Sequence, residues 1–287
     1  MVEIENLSLS YGNNKEVLKN ISLNVKKGEC ILLTGKSGSG KSSIINSVNG
    51  LAVRYDGASI DGSIRIGNKD IKNLKLYEIS MLVSSVFQNP KTHFFNINTT
   101  LELLFYLENI GLSKDEMDKR LTEMLNLFPI EHLLNRDIFK LSGGEKQILC
   151  IAASYISGTE IIVLDEPSSN LDYQSIILLS EILEKLKAGG YTIIVIEHRL
   201  FYMKKLCDKL IVMEHGKISG IYEKSELKTM SNDMLHEKGL RGINLFQSVV
   251  RDPPKDRFNE PILELKDITF GYKKEREILK GISFSVF

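Results

Sequence analysis

A glycine-rich segment has the residue types and the spacing of a phosphate-binding loop. It fits the pattern G-x-x-x-x-G-K-[ST] and lies between the apolar run Cys30–Thr34 and the helical stretch Ile44–Asn49. Glycines let successive backbone N–H groups turn toward a phosphate chain, and the N-terminus of the following helix adds positive potential. We expect the phosphates to be bound by Gly35, Lys36, Ser37, Gly38, Ser39, Gly40, Lys41, Ser42 and Ser43.

Two side chains of this segment carry the chemistry that the pattern predicts. The ammonium group of Lys41 reaches the β- and γ-phosphates of a nucleotide, and the hydroxyl of Ser42 coordinates Mg²⁺. The structural alternative is a plain Gly/Ser turn before a helix. The apolar strand before the loop and the helix after it favour a site for ATP and Mg²⁺.

An acidic pair follows a second apolar run. Ile161-Ile162-Val163-Leu164 is typical of a strand covered on both faces of a parallel sheet, and Asp165 and Glu166 come directly after it. Ligands bind at this end of parallel strands, and acids there are costly unless they meet a cation or a donor. Alone, the pair would fit a solvated turn before Pro167. With the phosphate loop upstream, we expect Asp165 to hold Mg²⁺ through water and Glu166 to polarise the attacking water.

A third segment indicates the family. Leu141-Ser142-Gly143-Gly144-Glu145-Lys146-Gln147 precedes a predicted helix, Ile148–Ser157, and alone would be only an N-cap turn. Together with Tyr11, Gln88, Asp172 and His198, it resembles the nucleotide-binding domain of ATP-binding cassette (ABC) ATPases across about residues 1–220. Glu145 stands where Gln is more frequent in that family, a modest departure.

The resemblance implies roles for single residues around the nucleotide. Tyr11 is similar to the aromatic residue that stacks on adenine. Gln88 is similar to the glutamine that contacts Mg²⁺ and links the catalytic site to a transport subunit. His198, directly after the predicted strand Thr192–Glu197, is similar to the switch histidine near the γ-phosphate. The catalytic residues that follow from the resemblance and the motifs are Lys41, Gln88, Glu166 and His198.

The resemblance also implies a second cassette opposite the first. Ser142, Gly143 and Gly144 resemble the signature residues that bind the γ-phosphate of ATP held by the opposing domain. Asp172 resembles the loop residue that couples two opposed sites. The expected assembly is a head-to-tail sandwich of two cassettes, and a single cassette is expected to be mainly monomeric with slow turnover.

The segment from Val86 to Phe95 indicates a subfamily. It is similar to the pattern F-Q-N-P-x-x-Q-x-F of energy-coupling factor (ECF) and cobalt-type importers, with His93 where a second Gln is common. The resemblance implies import of a vitamin or a metal ion, with a transmembrane subunit docked on Gln88–Phe95. The chain would lie peripherally on the cytoplasmic face of the membrane. A soluble tandem ABC ATPase acting on ribosomes is the alternative, and a non-hydrolysing ATP switch is a third class.

The periodicity predicts an α/β fold. Strands are expected at Glu3–Ser8, Ile21–Val25 and Cys30–Thr34, with a hairpin around Ile64–Ile66, and helices within residues 99–157. Thr99 with Glu102, and Ser113 with Glu116, have the spacing of capping boxes. Leu101, Leu104, Phe105 and Glu108 have helical spacing, with three apolar positions on one face. The resemblance implies a P-loop NTPase of ABC type: a RecA-like core, an antiparallel β subdomain and a helical subdomain inserted at about residues 90–157.

The chain repeats its own beginning. Residues 2–25 align without gaps to residues 263–286, with Tyr11 opposite Tyr272. Between the copies, Asp252-Pro253-Pro254-Lys255-Asp256 is typical of a linker. We expect an ABC domain at residues 1–245, a linker at 246–261 and the start of a second ABC domain at 262–287. We also expect this chain to be a truncated form of a tandem-cassette protein.

Composition excludes several classes of protein. Lys plus Arg and Asp plus Glu both number 37, so the net charge is zero and a nucleic-acid partner is not expected. The sequence contains no apolar run of the roughly 18 residues that a membrane span needs, and Met1–Glu5 lacks the pattern of a signal peptide. Cys30, Cys150 and Cys207 lie in apolar runs and are expected to be buried, reduced thiols.

Overall fold

A computed structural model describes residues 1–12, 15–243, 260–271 and 278–287, and the chain divides into two compact units, Met1–Leu245 and Phe246–Phe287. The strands are β1 Val2–Tyr11, β2 Lys15–Val25, β3 Cys30–Gly35, β4 Ser59–Ile66, β5 Lys69–Asp70, β6 Val83–Val86, β7 Ile161–Asp165, β8 Thr192–Ile196, β9 Lys209–Glu214, β10 Lys217–Glu223, β11 Leu263–Phe270 and β12 Leu279–Val286. The helices are α1 Lys41–Val48, α2 Leu51–Arg54, α3 Leu76–Ser80, α4 Thr99–Asn109, α5 Lys114–Leu127, α6 Gly143–Ile156, α7 Tyr173–Ala188, α8 Lys224–Thr229 and α9 Asn232–Glu237.

A six-stranded sheet forms the centre of the first unit, in the order β10-β9-β3-β8-β7-β6. The strands from β9 to β6 pair in parallel, and β10 is antiparallel to β9. Leu33 of β3 and Asp165 of β7 both lie opposite Ile196 of β8. The carboxyl ends of these three strands therefore open at one edge of the sheet, the edge at which ligands bind in such sheets.

Two hydrophobic cores lie on the two faces of this sheet. Ile31 and Leu33 belong to a core shared with α1 and the four-stranded antiparallel sheet β2-β1-β4-β5. Cys30 and Leu32 belong to a second core, shared with α4, α6 and α7. Alternate residues of β3 thus face opposite cores, as expected for a strand buried on both sides.

The helical insertion packs through α6, which contacts α4, α5 and β6. The capping box at Ser113 is confirmed: Ser113 Oγ accepts the Glu116 N–H at 3.4 Å, and Glu116 Oε2 accepts the Ser113 N–H at 3.1 Å. The capping box at Thr99 is wrong. Asn98 caps α4 instead, because its Oδ1 accepts the N–H groups of Thr100 and Leu101.

The apolar positions of α4 are buried to different degrees. Leu101 is 49% exposed, whereas Leu103 and Leu107 are buried in the second core. The hydroxyl of Thr99, which does not cap the helix, donates to the carbonyl of Leu133 at 2.6 Å. This contact ties the start of α4 to the segment that contains Leu133.

The three cysteines are buried and form no disulfide, as expected. Burial raises the pKa of each thiol, that of Cys207 to about 12. Within the described ranges, every helix is too short or too polar to span a bilayer.

The second unit contains a hairpin that matches the first hairpin of the chain. Leu263 pairs with Val286 as Val2 pairs with Val25, and the register shifts fall at equivalent positions. Asn6 and Asp267 both have positive φ, 49° and 47°. The described residues exclude 244–259 and 272–277. Most of the proposed linker, 246–261, and all of Tyr272 therefore lie outside them.

A glycine turn between β9 and β10 supports the phosphate loop. The N–H of Gly216 donates to the carbonyl of Ser39 at 3.2 Å, and φ at Gly216 is 80°. A Cβ at Gly216 would lie 2.3 Å from the carbonyl oxygen of Val17. At Gly67, φ is similar at 59°, but a Cβ there would meet nothing within 4 Å.

We therefore expect Gly216→Ala to destabilise the fold far more than Gly67→Ala. Both substitutions bear the left-handed backbone cost of about 1–2 kcal/mol, and the clash adds about 1–3 kcal/mol at Gly216 only. Urea unfolding midpoints of the two variants measure the difference. Equal midpoints would show that the turn yields easily and does not support the loop.

Candidate functional site

The phosphate loop joins β3 to α1. Its lysine, Lys41, is 6% exposed, and its ammonium donates to the carbonyls of Gly35 at 2.9 Å and Lys36 at 3.0 Å. Gly40 has φ of 101°, and a Cβ there would lie 2.7 Å from a methyl carbon of Leu18. The sequence pattern and the tight packing both require glycine at this point.

Lys41 lies near the acidic pair at the end of β7. Burial lowers the pKa of Lys41, and the charges of Glu166 and Asp165 oppose that shift. Burial also raises the pKa of Asp165, against a hydrogen bond from Ser42 and the charge of Lys41. Lys41, Ser42 and Asp165 thus form one group, as the two motifs predicted when taken together.

The carboxylate of Glu166 meets two further candidates. Gln88 Nε2 donates to Glu166 Oε2 at 2.8 Å, and His198 Nε2 lies 3.2 Å from Glu166 Oε1. Glu166 has φ of 46°, rare for a side chain of this size, and its N–H donates to the carbonyl of Ile196 at 2.9 Å. The backbone is held in this conformation by β8, which aims the carboxylate between the two partners.

His93 stabilises the loop Phe87–Phe95, the Gln88 loop, by contacts within that loop. The N–H of Phe87 donates to His93 Nε2 at 2.6 Å, and the two rings lie 5.0 Å apart. Burial lowers the pKa of His93 to about 4, so the imidazole is neutral and accepts this hydrogen bond at neutral pH. The residue that departs from the importer pattern is therefore part of the loop's framework.

The signature residues begin α6. Ser142 caps this helix, with Oγ accepting the Glu145 N–H at 3.2 Å, and the N–H of Ser142 lowers the pKa of Glu145 by donating to its carboxylate. A Cβ on Gly144 would lie 3.3 Å from Ser175 Oγ, and one on Gly143 would lie 3.6 Å from the carbonyl of Asn170. The signature segment therefore lies against the start of α7.

The remaining candidates lie around this group. Asp172 caps α7, accepting the Ser175 N–H at 2.8 Å, and this hydrogen bond lowers its pKa. Tyr11 ends β1, partly buried against the first core. The hydrogen bonds and charge interactions of the described residues join Lys41, Ser42, Gln88, Asp165, Glu166 and His198. They do not join Tyr11, Ser142, Gly143, Gly144 or Asp172 to that group.

Sequence reasoning missed three residues at this edge: Glu197, Arg199 and Tyr202. Glu197 is buried and accepts the Tyr202 hydroxyl at 2.8 Å and the N–H of His198 at 2.7 Å. Arg199 donates to carbonyls of the loop after β7. The available signal was an acid between an apolar strand and His198, a position that must either be solvated or bind several donors.

The donor set fits a nucleotide with Mg²⁺. Ser39 Oγ, within the loop, is buried and has no hydrogen-bond partner among the described residues, and Lys41 is a buried cation in the same loop. A phosphate oxygen satisfies both kinds of group. Ser42, Asp165 and Gln88 supply oxygen atoms, which are the ligands that Mg²⁺ prefers.

Comparison with known proteins identifies the family. The family model for ABC transporters matches residues 18–169, more than half of the chain. The chain belongs to the ABC transporter family. The structure of CbiO1 from Clostridium perfringens, part of the ABC transporter complex cbiONQ, is similar to this ABC cassette with a TM-score of 0.72. The two are 28% identical, over 83% of this chain and 93% of CbiO1.

Further relatives agree with this assignment. A dimeric, post-hydrolysis ATP-binding cassette bound to ADP and Pi is 25% identical, with a TM-score of 0.68 over 78% of this chain and 99% of that one. Two Treponema denticola proteins, described as ABC transporter ATP-binding proteins, are 44% and 38% identical over 100% and 99% of this chain. The chain spans 59% of the length of each.

The expected fold class is confirmed by these similarities. The first unit is an ABC-type ATPase cassette with the mixed α/β fold of the P-loop proteins, a domain that uses ATP with Mg²⁺.

The low pKa of His93 makes the stability of this ABC cassette depend on pH. The unfolded imidazole takes up a proton near pH 6.5, and the folded one only near pH 4. The contribution of His93 is therefore fully present above pH 6.5 and is lost as the pH falls toward 4. We expect His93→Gln, which keeps an acceptor but does not titrate, to lose less stability than the wild type between pH 7 and pH 4.5.

Urea unfolding midpoints at the two pH values measure this difference. His132→Gln is the control, because His132 lies outside the loop. Parallel losses in the wild type and His93→Gln would show that the buried imidazole does not contribute to the acid sensitivity.

Proposed function

We propose that this cassette binds ATP with Mg²⁺ and hydrolyses it to energise a membrane transporter. The observation that carries the proposal is the position of Glu166: its carboxylate meets Gln88 at 2.8 Å and His198 at 3.2 Å. Lys41 and Asp165 are close enough to shift each other's protonation, and Glu166 acts on both. A base, a cation and two orienting side chains converge where a γ-phosphate is expected.

Each side chain has a distinct task in this proposal. Lys41 and the loop N–H groups bind the β- and γ-phosphates. Ser42 and Asp165 would hold Mg²⁺, which would neutralise the charge that develops on these phosphates. Glu166 orients and deprotonates the attacking water, with Gln88 and His198 holding its carboxylate in place. Because little covalent chemistry is left to the protein in phosphoryl transfer, this positioning accounts for most of the rate.

A complete site requires a second cassette. A Cβ on Gly143 or Gly144 would lie close to Asn170 or Ser175, and no hydrogen bond of the described residues joins Ser142, Gly143 or Gly144 to the phosphate loop. We propose that they bind the γ-phosphate of ATP held by an opposing cassette, with Asp172 between the two sites and Tyr11 on the adenine. The dimeric cassette with ADP and Pi among the similar structures supports this arrangement.

A groove beside the Gln88 loop is the proposed docking surface for a transmembrane subunit. It encloses a cavity of about 390 Å³ lined by apolar side chains that include Leu76, Phe94, Phe105 and Tyr106. At its rim, Phe95 is 77% exposed and stacks on Phe105, with ring centroids 4.9 Å apart. An exposed aromatic beside an apolar groove is a common anchor for a partner helix.

The similarity to CbiO1, together with Gln88–Phe95, supports an ECF-type importer of a vitamin or a metal ion, peripheral on the cytoplasmic face of the membrane. We also propose the division into a cassette at 1–245, a linker at 246–261 and the start of a second cassette at 262–287. The short, Pro-containing linker counts against the ribosome-bound alternative, but it lies almost wholly outside the described residues.

Replacing Glu166 with Gln should stop hydrolysis without weakening ATP binding. The amide keeps the shape of the side chain but cannot accept a proton, and loss of a general base lowers turnover by about 10²–10⁴-fold. The measurement is single-turnover ATP cleavage with Mg²⁺, at protein concentrations where two chains pair. Size-exclusion chromatography should show that the paired, ATP-bound form accumulates.

The control is Glu160→Gln, an exposed acid that pairs with Lys27 before β7, away from the phosphate loop. It should cleave ATP at the wild-type rate. Near-normal cleavage by Glu166→Gln would remove the proposed base, and a wild type that neither pairs nor cleaves would remove the composite site.

Replacing Phe95 with Asp should weaken docking of the transmembrane subunit. The aromatic anchor is lost and a charge is placed at the mouth of an apolar groove, so we expect a loss of about 2 kcal/mol or more in binding. Tyr55→Asp is the matched control, because Tyr55 is 82% exposed but lies outside the groove. Co-purification with a transmembrane subunit measures both, and equal retention of the two variants would exclude the groove.

A further inference from the structure

We propose that Arg199 is a positioning residue that joins two loops. One is the segment around His198, the histidine loop, and the other is Ser168–Asp172, the 168–172 loop. The proposal rests on the proposed ATPase function. Arg199 Nη1 donates to the carbonyl of Ser168 at 3.2 Å and to that of Leu171 at 3.4 Å. One cation thereby holds both ends of a loop that belongs to a different strand, β7.

Glu197 anchors the same two loops from the other side of His198. Its side chain is 2% exposed. Oε1 accepts the N–H groups of His198 at 2.7 Å and Arg199 at 2.9 Å. Oε2 accepts the N–H of Ser168 at 3.3 Å and the hydroxyl of Tyr202 at 2.8 Å. The carboxylate therefore binds both the histidine loop and the first residue of the 168–172 loop.

His198 thus lies between two charged residues that both hold the 168–172 loop. A buried carboxylate with four donors is costly to disturb, because each lost partner leaves a charge unsatisfied. A shift of His198, which contacts Glu166, is therefore transmitted to residues 168–172 instead of being absorbed by loose backbone. The two loops move together.

The far side of the 168–172 loop contacts the other functional segments. Asn170 Nδ2 lies 3.4 Å from the carbonyl of Gln88, and a Cβ on Gly144 would lie 3.5 Å from Leu171. Asp172, at the end of the loop, caps α7. The loop thus connects both partners of Glu166, Gln88 and His198, to the signature segment that faces a second cassette.

This arrangement predicts a specific kinetic effect. The side-chain hydrogen bonds that the structure describes for Arg199 go to Ser168 and Leu171 and not to the phosphate loop, so its loss should leave ATP affinity unchanged. The turnover of the paired cassettes falls, because the signature segment and the 168–172 loop no longer move together with His198 at the hydrolytic site. Since a charge-assisted hydrogen bond is lost at each of two carbonyls, we expect Arg199→Met to lower kcat about tenfold or more, with Kd for ATP within twofold.

Arg199→Lys is the conservative variant that separates positioning from mere structural support. A single nitrogen of Arg199 reaches both carbonyls, and the ammonium of Lys is also a single donor group with three protons. We expect Lys to restore most of the turnover. Arg65→Met is the matched control and should leave turnover unchanged, because the side chain of Arg65 is exposed on β4, between β1 and β5.

The experiment combines kinetics with hydrogen exchange of the full chain, both with ATP and Mg²⁺. Amides of residues 168–172 should exchange faster in Arg199→Met than in the wild type or Arg199→Lys, while the phosphate loop is unchanged. Wild-type exchange in Arg199→Met, or a fall in kcat that Lys does not restore, would overturn the proposal. If the wild type hydrolyses no ATP, the proposed function fails, but the exchange of residues 168–172 still decides the link.

Discussion

The parallel register of β3, β7 and β8 is the constraint on which the site depends. Leu33 and Asp165 lie opposite the same residue of β8, Ile196, so the phosphate loop, the acidic pair and His198 leave the sheet at one edge. A slip of one residue would turn Asp165 toward the opposite face. The apolar strands, buried on both sides, hold this register because each alternate residue fits a different core.

This register also explains how the fold tolerates buried charges. Burial disfavours the charged forms of Lys41 and Asp165. The opposite charge of each residue counteracts this effect on the other. Glu197 is more deeply buried and relies on four donors instead of a single counterion. The pairing with Asp165 leaves Lys41 available to bind a phosphate, and the four donors of Glu197 fix the backbone of the loops that it contacts. The same edge of the sheet thus contains one electrostatically adaptable group and one rigid group.

Local signals predicted some elements whose partners are close in sequence, but not all of them. The Ser113 cap depends on a residue three positions away and was predicted correctly. The prediction of a cap at Thr99 is wrong because Asn98, one residue earlier, offers a competing oxygen. Glu102, the other member of the predicted box, accepts the N–H groups of Phe95 and Asn96 instead. The phosphate loop and the acidic pair could be assigned because each carries its own spacing. Glu197 and Arg199 could not, since their partners lie on the loop after another strand.

The repeated hairpin separates local geometry from core packing. Both copies have the same pairing register, and a serine hydroxyl accepts the N–H of the positive-φ residue in each: Ser22 with Asn6 at 3.0 Å, and Ser283 with Asp267 at 2.9 Å. Yet Val2 and Leu7 are buried, while their counterparts Leu263 and Ile268 are exposed. The strand pairs and bulges are therefore specified within about 25 residues, whereas burial requires a third strand and a helix beneath, which β4 and α1 supply in the first unit. A two-stranded hairpin contributes little stability alone, so the exposed apolar face of the second copy is a surface suited to packing against such elements.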